Sequence, residues 1–206
     1  DTRIRQNVLR FWMNRLWHQD PDAMMVRRRE TPFKDSPISL GLLNQEEART
    51  ITVNQYLGGG LICFTERMQE LDADRADLYH MCVPRIGAES VPADLFADGR
   101  IPSVHVTRIA PPVYGMAPWR TAAFINWDDE AKTFRPRLGR DLGVDGAGEY
   151  LVWEFFEKRF VGMFTHEGEG PSVTVPPHGT RVLRIAKWDG ASVMLLGSDR
   201  HLSMGG

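Results

Sequence analysis

The chain has 206 residues, of which 42% are apolar and 25% are charged, as in an ordinary globular protein. Its formal charge of −2 excludes the broad positive surface that nucleic acids or anionic membranes require. No apolar run approaches transmembrane length and no signal peptide is recognised, so the residues do not indicate a compartment. The two cysteines, Cys63 and Cys82, lie in apolar surroundings and are expected to be buried thiols.

The first segment combines an apolar helix pattern with an acidic corner. Apolar residues in 4–17 recur mostly three or four positions apart, which predicts a helix with one broad buried face. Asp20 and Asp22 then flank Pro21, which fixes its own φ and keeps the preceding residue away from helical geometry. Two carboxylates on a stiff corner suit a polar-ligand site, although the chemistry alone favours an Asx turn. Residues 24–26 are predicted to be a short strand or an extended exit from this corner.

A second helix and a strand follow. The helix is predicted to begin after Asn44, because Glu47 three positions on completes a capping box. The glycines at 58–60 predict its end, with a left-handed stop and close backbone packing. The apolar run 61–64 predicts a strand buried on both faces, as in parallel sheets covered by helices. A third helix is predicted over residues 72–82.

This alternation of helices and strands predicts an α/β fold, either a barrel or a doubly wound sheet. Two units cannot close an eight-stranded barrel, so residues 1–84 are expected to be the last part of one, with the remainder before them. Residues 85–102 are rich in proline and glycine and are predicted to be a linker, and 103–206 an antiparallel β-sandwich. The predicted strands are Val104–Ile109, Thr121–Trp127, Tyr150–Phe156, Arg159–Phe164, Ser172–Val175, Thr180–Ala186 and Ala191–Gly197.

No motif in the sequence indicates a cofactor. The six histidines lack metal-ligand spacing, and there is no His-Glu-x-x-His pattern. The glycines at 58–60 end a helix and precede a strand, the wrong order for a phosphate-binding loop. We therefore expect no metal and no nucleotide cofactor.

Five segments, taken in order, carry a resemblance to a known family. They are Asp-Pro-Asp at 20–22, Asn-Gln-Glu-Glu-Ala-Arg at 44–49, Gly-Gly-Gly-Leu-Ile-Cys-Phe-Thr-Glu at 58–66, Pro-Pro-His-Gly-Thr-Arg-Val-Leu-Arg at 176–184 and Leu-Leu-Gly-Ser-Asp-Arg-His-Leu at 195–202. This order resembles the C-terminal part of the α-galactosidases of glycoside hydrolase families 27 and 36, over nearly the whole chain. The resemblance implies the last strands of a (β/α)8 TIM barrel followed by a β-sandwich. It also implies cleavage of terminal α-galactosides with retention of configuration.

The resemblance further implies a mechanism with two aspartates, one a nucleophile and one an acid/base, about 5–5.5 Å apart. The nucleophile lies on the fourth barrel strand, which this chain does not include, so we expect a fragment that is inactive alone. Asp1 is implied as the acid/base, and it also suits a helix N-cap. Asp22 is implied to face the sugar and Asp20 to brace the corner.

Two more residues are candidate sugar contacts. Trp17 precedes the acidic corner and could stack on a sugar ring, with a place in the core as the alternative. Glu66 follows the strand 61–64, and both Asp22 and Glu66 are expected at the C-terminal ends of strands, where barrel active sites lie. Thr65-Glu66-Arg67 stands where the family has Ser-Asp-Asp, and Gln19 where it has Asn.

Two other functions stay open at this point. One is a carbohydrate-binding or interaction module that works through residues 103–206 and lacks hydrolytic activity. The other is a related glycosyl transferase of the raffinose-synthase kind. In each case the expected partner is a carbohydrate, an α-galactoside for the hydrolase, with neither nucleic acid nor membrane. The residues give no oligomeric state.

Overall fold

A six-stranded antiparallel sheet lies at the centre of the computed structural model, which describes residues 2–28, 43–97, 101–111, 117–190 and 193–205. The helices are α1 (Thr2–Leu9), α2 (Gln45–Gly58), α3 (Ala73–His80) and α4 (Leu138–Leu142), with 3-10 turns at Phe11–Arg15 and Met68–Glu70. The strands are β1 (Ala23–Met24), β2 (Cys63–Phe64), β3 (Ser90–Pro92), β4 (Val104–Ile109), β5 (Trp119–Ile125), β6 (Lys132–Phe134), β7 (Glu149–Glu154), β8 (Arg159–Thr165), β9 (Val173–Val175) and β10 (Thr180–Lys187).

The order of strands in the large sheet is β3-β4-β5-β10-β7-β8, and all its neighbours pair antiparallel. Strands β6 and β9 form a separate antiparallel pair, and β1 pairs with β2 in parallel. The structure is thus mixed α/β with antiparallel sheets, which confirms the predicted class at that level.

Both faces of the large sheet are covered. Along β5, Phe124 faces a core shared with α4 and β9, whereas Ala123 and Ile125 face a core shared with α2 and α3. Alternate residues of a strand point to opposite faces, so a continuous apolar run on β5 serves two cores. Helix α2 therefore packs on β10 of this sheet, and α3 packs against α2 in the same core.

Helix α2 begins and ends as the sequence predicts. The Asn44 side chain accepts the backbone N–H of Glu47 at 2.9 Å, and the Glu47 carboxylate accepts the N–H of Asn44 at 2.8 Å. Gly59 ends the helix with φ of 61°, which glycine adopts without steric cost. A Cβ on Gly60 would lie 2.0 Å from the carbonyl oxygen of Gln19, so only glycine fits there. The capping box and the close glycine packing are both confirmed.

The prediction of one continuous first helix is wrong. Helix α1 ends at Leu9, and a 3-10 turn follows over Phe11–Arg15. Only Asn7 and Val8 are buried in this segment up to residue 18, and four of its large apolar side chains are exposed. A change from 3.6 to 3.0 residues per turn rotates the apolar positions off one face, so the predicted broad buried face does not form. The exposed side chains are Leu9, Trp12, Leu16 and Trp17.

The strand predicted at 61–64 forms only at Cys63–Phe64, where it pairs in parallel with Ala23–Met24. It is not buried on both faces, because 44% of the Phe64 side chain is exposed. The physical reason is that β2 has no second neighbouring strand among the described residues. Cys82 is buried as predicted, whereas Cys63 is only partly buried, and both thiols are free.

Four differences concern residues after 84. Strand β3 lies inside the predicted linker, where Ser90–Pro92 pair with β4 at the edge of the large sheet. Of the strand predicted at Ala191–Gly197, residues 191–192 lie outside the described residues and 193–197 are not a strand; Gly197 instead packs closely against the Trp153 ring. Strand β6 and helix α4 were not predicted. The other six predicted strands are present with ends shifted by at most two residues.

Candidate functional site

The acidic corner is an Asx turn. The backbone N–H of Asp22 donates to Asp20 Oδ1 at 2.9 Å, and Asp22 Oδ1 accepts the N–H of Ala23 at 2.6 Å. Asp22 has φ of 69°, a left-handed conformation that aspartate tolerates better than most residues. Both carboxylates are exposed while Pro21 between them is buried. The corner therefore exposes two acidic side chains, and the proline between them anchors it in the protein interior.

Two amide side chains hold this corner in place. Asn7 Nδ2 donates to the carbonyl oxygen of Pro21 at 2.6 Å, which ties the corner to α1. Gln55 Nε2 donates to the carbonyl oxygen of Asp22 at 2.9 Å, which ties it to α2. Left-handed backbone in a residue other than glycine costs about 1–3 kcal/mol and persists only where the surroundings enforce it. These two hydrogen bonds supply that enforcement.

Cys63 lies beside the corner. Its Sγ is 3.9 Å from Asp20 Oδ1. Desolvation raises the pKa of the Cys63 thiol, and the negative charges of Asp20 and Asp22 raise it further. The corner and the first residue of β2 thus share one electrostatic environment. Nothing in the spacing of Cys63 and Asp20 along the sequence indicates this contact, because it depends on the pairing of β1 with β2.

The residues before the corner have contrasting environments. Trp17 is 53% exposed, so the alternative of a core tryptophan is wrong and its ring is accessible. His18 Nδ1 lies 3.3 Å from Arg85 Nη1, which also donates to the carbonyl oxygen of Gly60. Gln19 is buried and donates from Nε2 to the carbonyl oxygen of Asn7 at 3.2 Å. Gln19 therefore ties the residue before Asp20 to α1, whereas the Trp17 ring is accessible to solvent.

Glu66 has a structural role in this fold. One of its oxygens accepts the backbone N–H groups of Val26 at 2.7 Å and Arg27 at 3.2 Å. The other lies 2.8 Å from Arg27 Nε, and the Glu66 and Arg27 side chains are 3% and 9% exposed. Arg27 Nη2 also donates to the carbonyl oxygen of Thr65. This pair fastens the chain after β1 to the chain after β2.

The prediction that Asp22 and Glu66 both lie at the C-terminal ends of strands is wrong for Asp22. Asp22 comes directly before β1, whereas Glu66 comes two residues after β2. Parallel strands share their starting and finishing edges, so these two carboxylates lie at opposite ends of the ladder. Asp20 and Asp22 share one turn, and Glu66 faces Arg27 instead. Asp1 lies outside the described residues.

Within the described ranges, no group of three or more metal-ligating side chains is close enough to hold an ion. No described helix is both long and apolar enough to cross a membrane. The exposed carboxylates at the corner can accept hydrogen bonds from hydroxyl groups, and the exposed indole can stack on a ring. This combination fits a sugar better than an apolar ligand.

Comparison with solved structures shows which known proteins share this fold. The chain is similar to a β-L-arabinopyranosidase of glycoside hydrolase family 27 from Geobacillus stearothermophilus, with a TM-score of 0.68 and 14% identity. That similarity covers 93% of this chain and 43% of the other. No family model and no curated protein sequence matches the chain.

Two further structures agree. A putative α-N-acetylgalactosaminidase from Bacillus halodurans has a TM-score of 0.66 and 13% identity, covering 91% of this chain and 44% of that one. An α-galactosidase from Saccharomyces cerevisiae with raffinose has a TM-score of 0.61 and 10% identity, covering 89% and 51%. The resemblance inferred from the sequence is thus confirmed for the fold. The chain spans about half or less of the length of these enzymes.

Proposed function

We propose that this chain is part of a retaining glycoside hydrolase acting on terminal α-galactosides. The observation that carries the proposal is the fold, which extends over nine-tenths of the chain and is shared with enzymes described with arabinose or raffinose. The structures found are named as glycoside hydrolases, so we propose neither a non-catalytic module nor a transferase.

In this proposal the acidic corner is one wall of the sugar-binding site. Asp22 binds sugar hydroxyl groups through its exposed carboxylate, and Asp20 holds the turn that aims it. Trp17 offers an exposed ring for stacking. Glu66 stays a predicted sugar contact, but its buried pairing with Arg27 supports a role in positioning the strand ends.

The catalytic nucleophile is proposed to lie outside these residues, in the part of the enzyme that the comparison structures have in addition. The predicted division into a barrel segment (1–84), a linker (85–102) and a terminal sandwich (103–206) belongs to the same proposal, as does Asp1 as acid/base. Retention requires two carboxyl groups about 5–5.5 Å apart, so the second member of the pair must come close to the first in the whole enzyme.

Asp22→Asn in the whole enzyme tests the role of the corner. A hydrogen bond to a charged group contributes about 1.5–3 kcal/mol, so kcat/KM for an aryl α-galactoside should fall about 10- to 100-fold. Asp129→Asn, at a carboxylate that is 96% exposed in the later domain, is the matched control and should leave kcat/KM unchanged. Equal kinetics of the two variants would remove Asp22 from the site.

The 206-residue chain alone tests the missing nucleophile. It should give no turnover of an aryl α-galactoside or an aryl β-L-arabinopyranoside while showing a cooperative unfolding transition. Clear turnover by the folded chain would contradict the proposal that a catalytic carboxylate lies elsewhere.

A further inference from the structure

A cavity of about 890 Å³ opens where β4 begins and β5 ends, away from the acidic corner. Helix α1 lines it with Arg5 and Leu9, and β6 and the turn into α4 line it with Lys132, Phe134 and Arg135. Its volume lies within the usual range of small-ligand sites. The candidate active-site residues are not among its lining residues, so it is a separate feature.

Trp127 gives the cavity a fixed aromatic surface. Its Nε1 donates to the carbonyl oxygen of Pro102 at 3.0 Å, which sets the orientation of the half-buried ring. Phe134 lines the same cavity and leans against the buried Phe124, with ring centroids 5.4 Å apart. An oriented indole beside polar groups is suited to the C–H face of a sugar ring.

The charged groups of the lining are mixed in sign. Two of its three carboxylates are already used by the protein itself. Asp94 accepts the backbone N–H groups of Ser103 at 2.9 Å and Val104 at 3.0 Å, and Asp141 accepts from Arg140 Nε at 2.7 Å. The charged lining residues are Arg5, Lys132, Arg135, Arg140, Asp94, Asp128 and Asp141.

Two of the positive charges are available to a ligand. Lys132 lies 3.9 Å from Asp128, and Arg140 is paired with Asp141. Arg5 and Arg135 have no ion pair with any residue in the described ranges. The cavity therefore carries two uncommitted guanidinium groups, which favour a planar anion such as a carboxylate.

We propose that this cavity binds a saccharide that contains a uronic acid. The ligand carboxylates bind Arg5 and Arg135, a sugar ring stacks on Trp127, and Asp128 accepts a hydroxyl hydrogen bond. A ligand with one negative charge per ring fits a lining that also holds carboxylates, whereas a polyphosphate would be repelled by them. The inference stands independently of the proposed hydrolase function.

Titration of the 206-residue chain with digalacturonate tests this, followed by tryptophan fluorescence and calorimetry. Digalacturonate should bind saturably, and Arg5→Gln or Arg135→Gln should each weaken binding about tenfold. Both side chains are exposed, so the variants should fold normally. Arg200→Gln, at a side chain that is 92% exposed, is the matched control. Binding should also weaken as sodium chloride rises from about 50 to 500 mM.

Three results would overturn the proposal. They are no binding of digalacturonate at millimolar concentration, equal binding of neutral galactobiose, and complete competition by inorganic phosphate at the same concentration as digalacturonate. Neither Arg5 nor Arg135 belongs to the acidic corner, so a failure of this binding is distinguishable from a failure of the corner as a sugar site.

Discussion

Replacing Glu66 with Gln should destabilise the protein more than any exposed charge substitution. The Glu66 side chain is only 3% exposed, and its carboxylate lies 2.8 Å from Arg27 Nε. Gln keeps a carbonyl oxygen that can still accept the N–H of Val26, so the change isolates the loss of charge. What it removes is the carboxylate that compensates a buried guanidinium.

Breaking a buried ion pair from one side costs about 3–5 kcal/mol. Because Arg27 also donates to the carbonyl oxygen of Thr65, we take the lower end, about 3 kcal/mol. The unfolding entropy of about 2.1 cal/mol/K per residue over 206 residues converts this to a fall in Tm of about 7 °C. Such a loss is a large fraction of a typical total stability of about 5–15 kcal/mol.

Thermal and urea unfolding of Glu66→Gln and two comparison variants measures the cost of breaking this ion pair. Glu70→Gln, which breaks an exposed pair with Arg67, should lower Tm by less than about 2 °C. The double variant Glu66→Gln/Arg27→Met removes both charges and should recover part of the loss. The reasoning is refuted if Glu66→Gln unfolds within 1 °C of the parent, or if the double variant is less stable than Glu66→Gln alone.

Three smaller predictions follow from buried contacts. In Gly60→Ala, the added Cβ would lie 2.0 Å from the Gln19 carbonyl oxygen. This steric clash should lower the free energy of unfolding by more than about 2 kcal/mol, as measured by urea unfolding. Trp119→Phe loses a 2.7 Å hydrogen bond to the carbonyl oxygen of Ser203, and urea unfolding should show a loss of about 1 kcal/mol. Burial lowers the pKa of His105 from its ordinary value of about 6.5 to about 4. Between these two pH values the unfolded chain binds a proton at His105 and the folded protein does not. Stability should therefore be complete above pH 6.5 and fall by up to about 3 kcal/mol as pH drops to 4, a slope that His105→Gln removes.

Helix α2 was predictable because its signals are local. The cap at Asn44 needs only Glu47 three residues on, and the stop needs only a glycine with positive φ at Gly59. Most strands of the large sheet were predictable for a similar reason, since short apolar runs between turn residues mark them. These features depend on residues that are close together in the sequence, so a short segment is enough to predict them.

The rest could not be predicted because it depends on residues far apart in sequence. Arg27 and Glu66 are 39 residues apart in the sequence, and only the pairing of β1 with β2 brings them together. Strand β3 contains Pro92 and only three residues, and it is a strand because β4 offers a free edge. The Asp-Pro-Asp corner forms the Asx turn that its chemistry favours, but it lies before β1 and not at the C-terminal end of a strand, and this end follows only from the strand bounds in three dimensions.

Exposure around the short parallel pair supports the proposal that this pair continues into a larger sheet. Met24 is fully buried, whereas Phe64, directly across the ladder, is 44% exposed. Parallel strands are normally covered on both faces, and a two-residue ladder is too short to be stable by itself. Burial of the exposed apolar side chains Leu9, Trp12, Leu16 and Trp17 by a partner surface would contribute about 25 cal/mol per Å². A partner surface that covers β2 would therefore stabilise the corner as well, because Cys63 of β2 lies against Asp20.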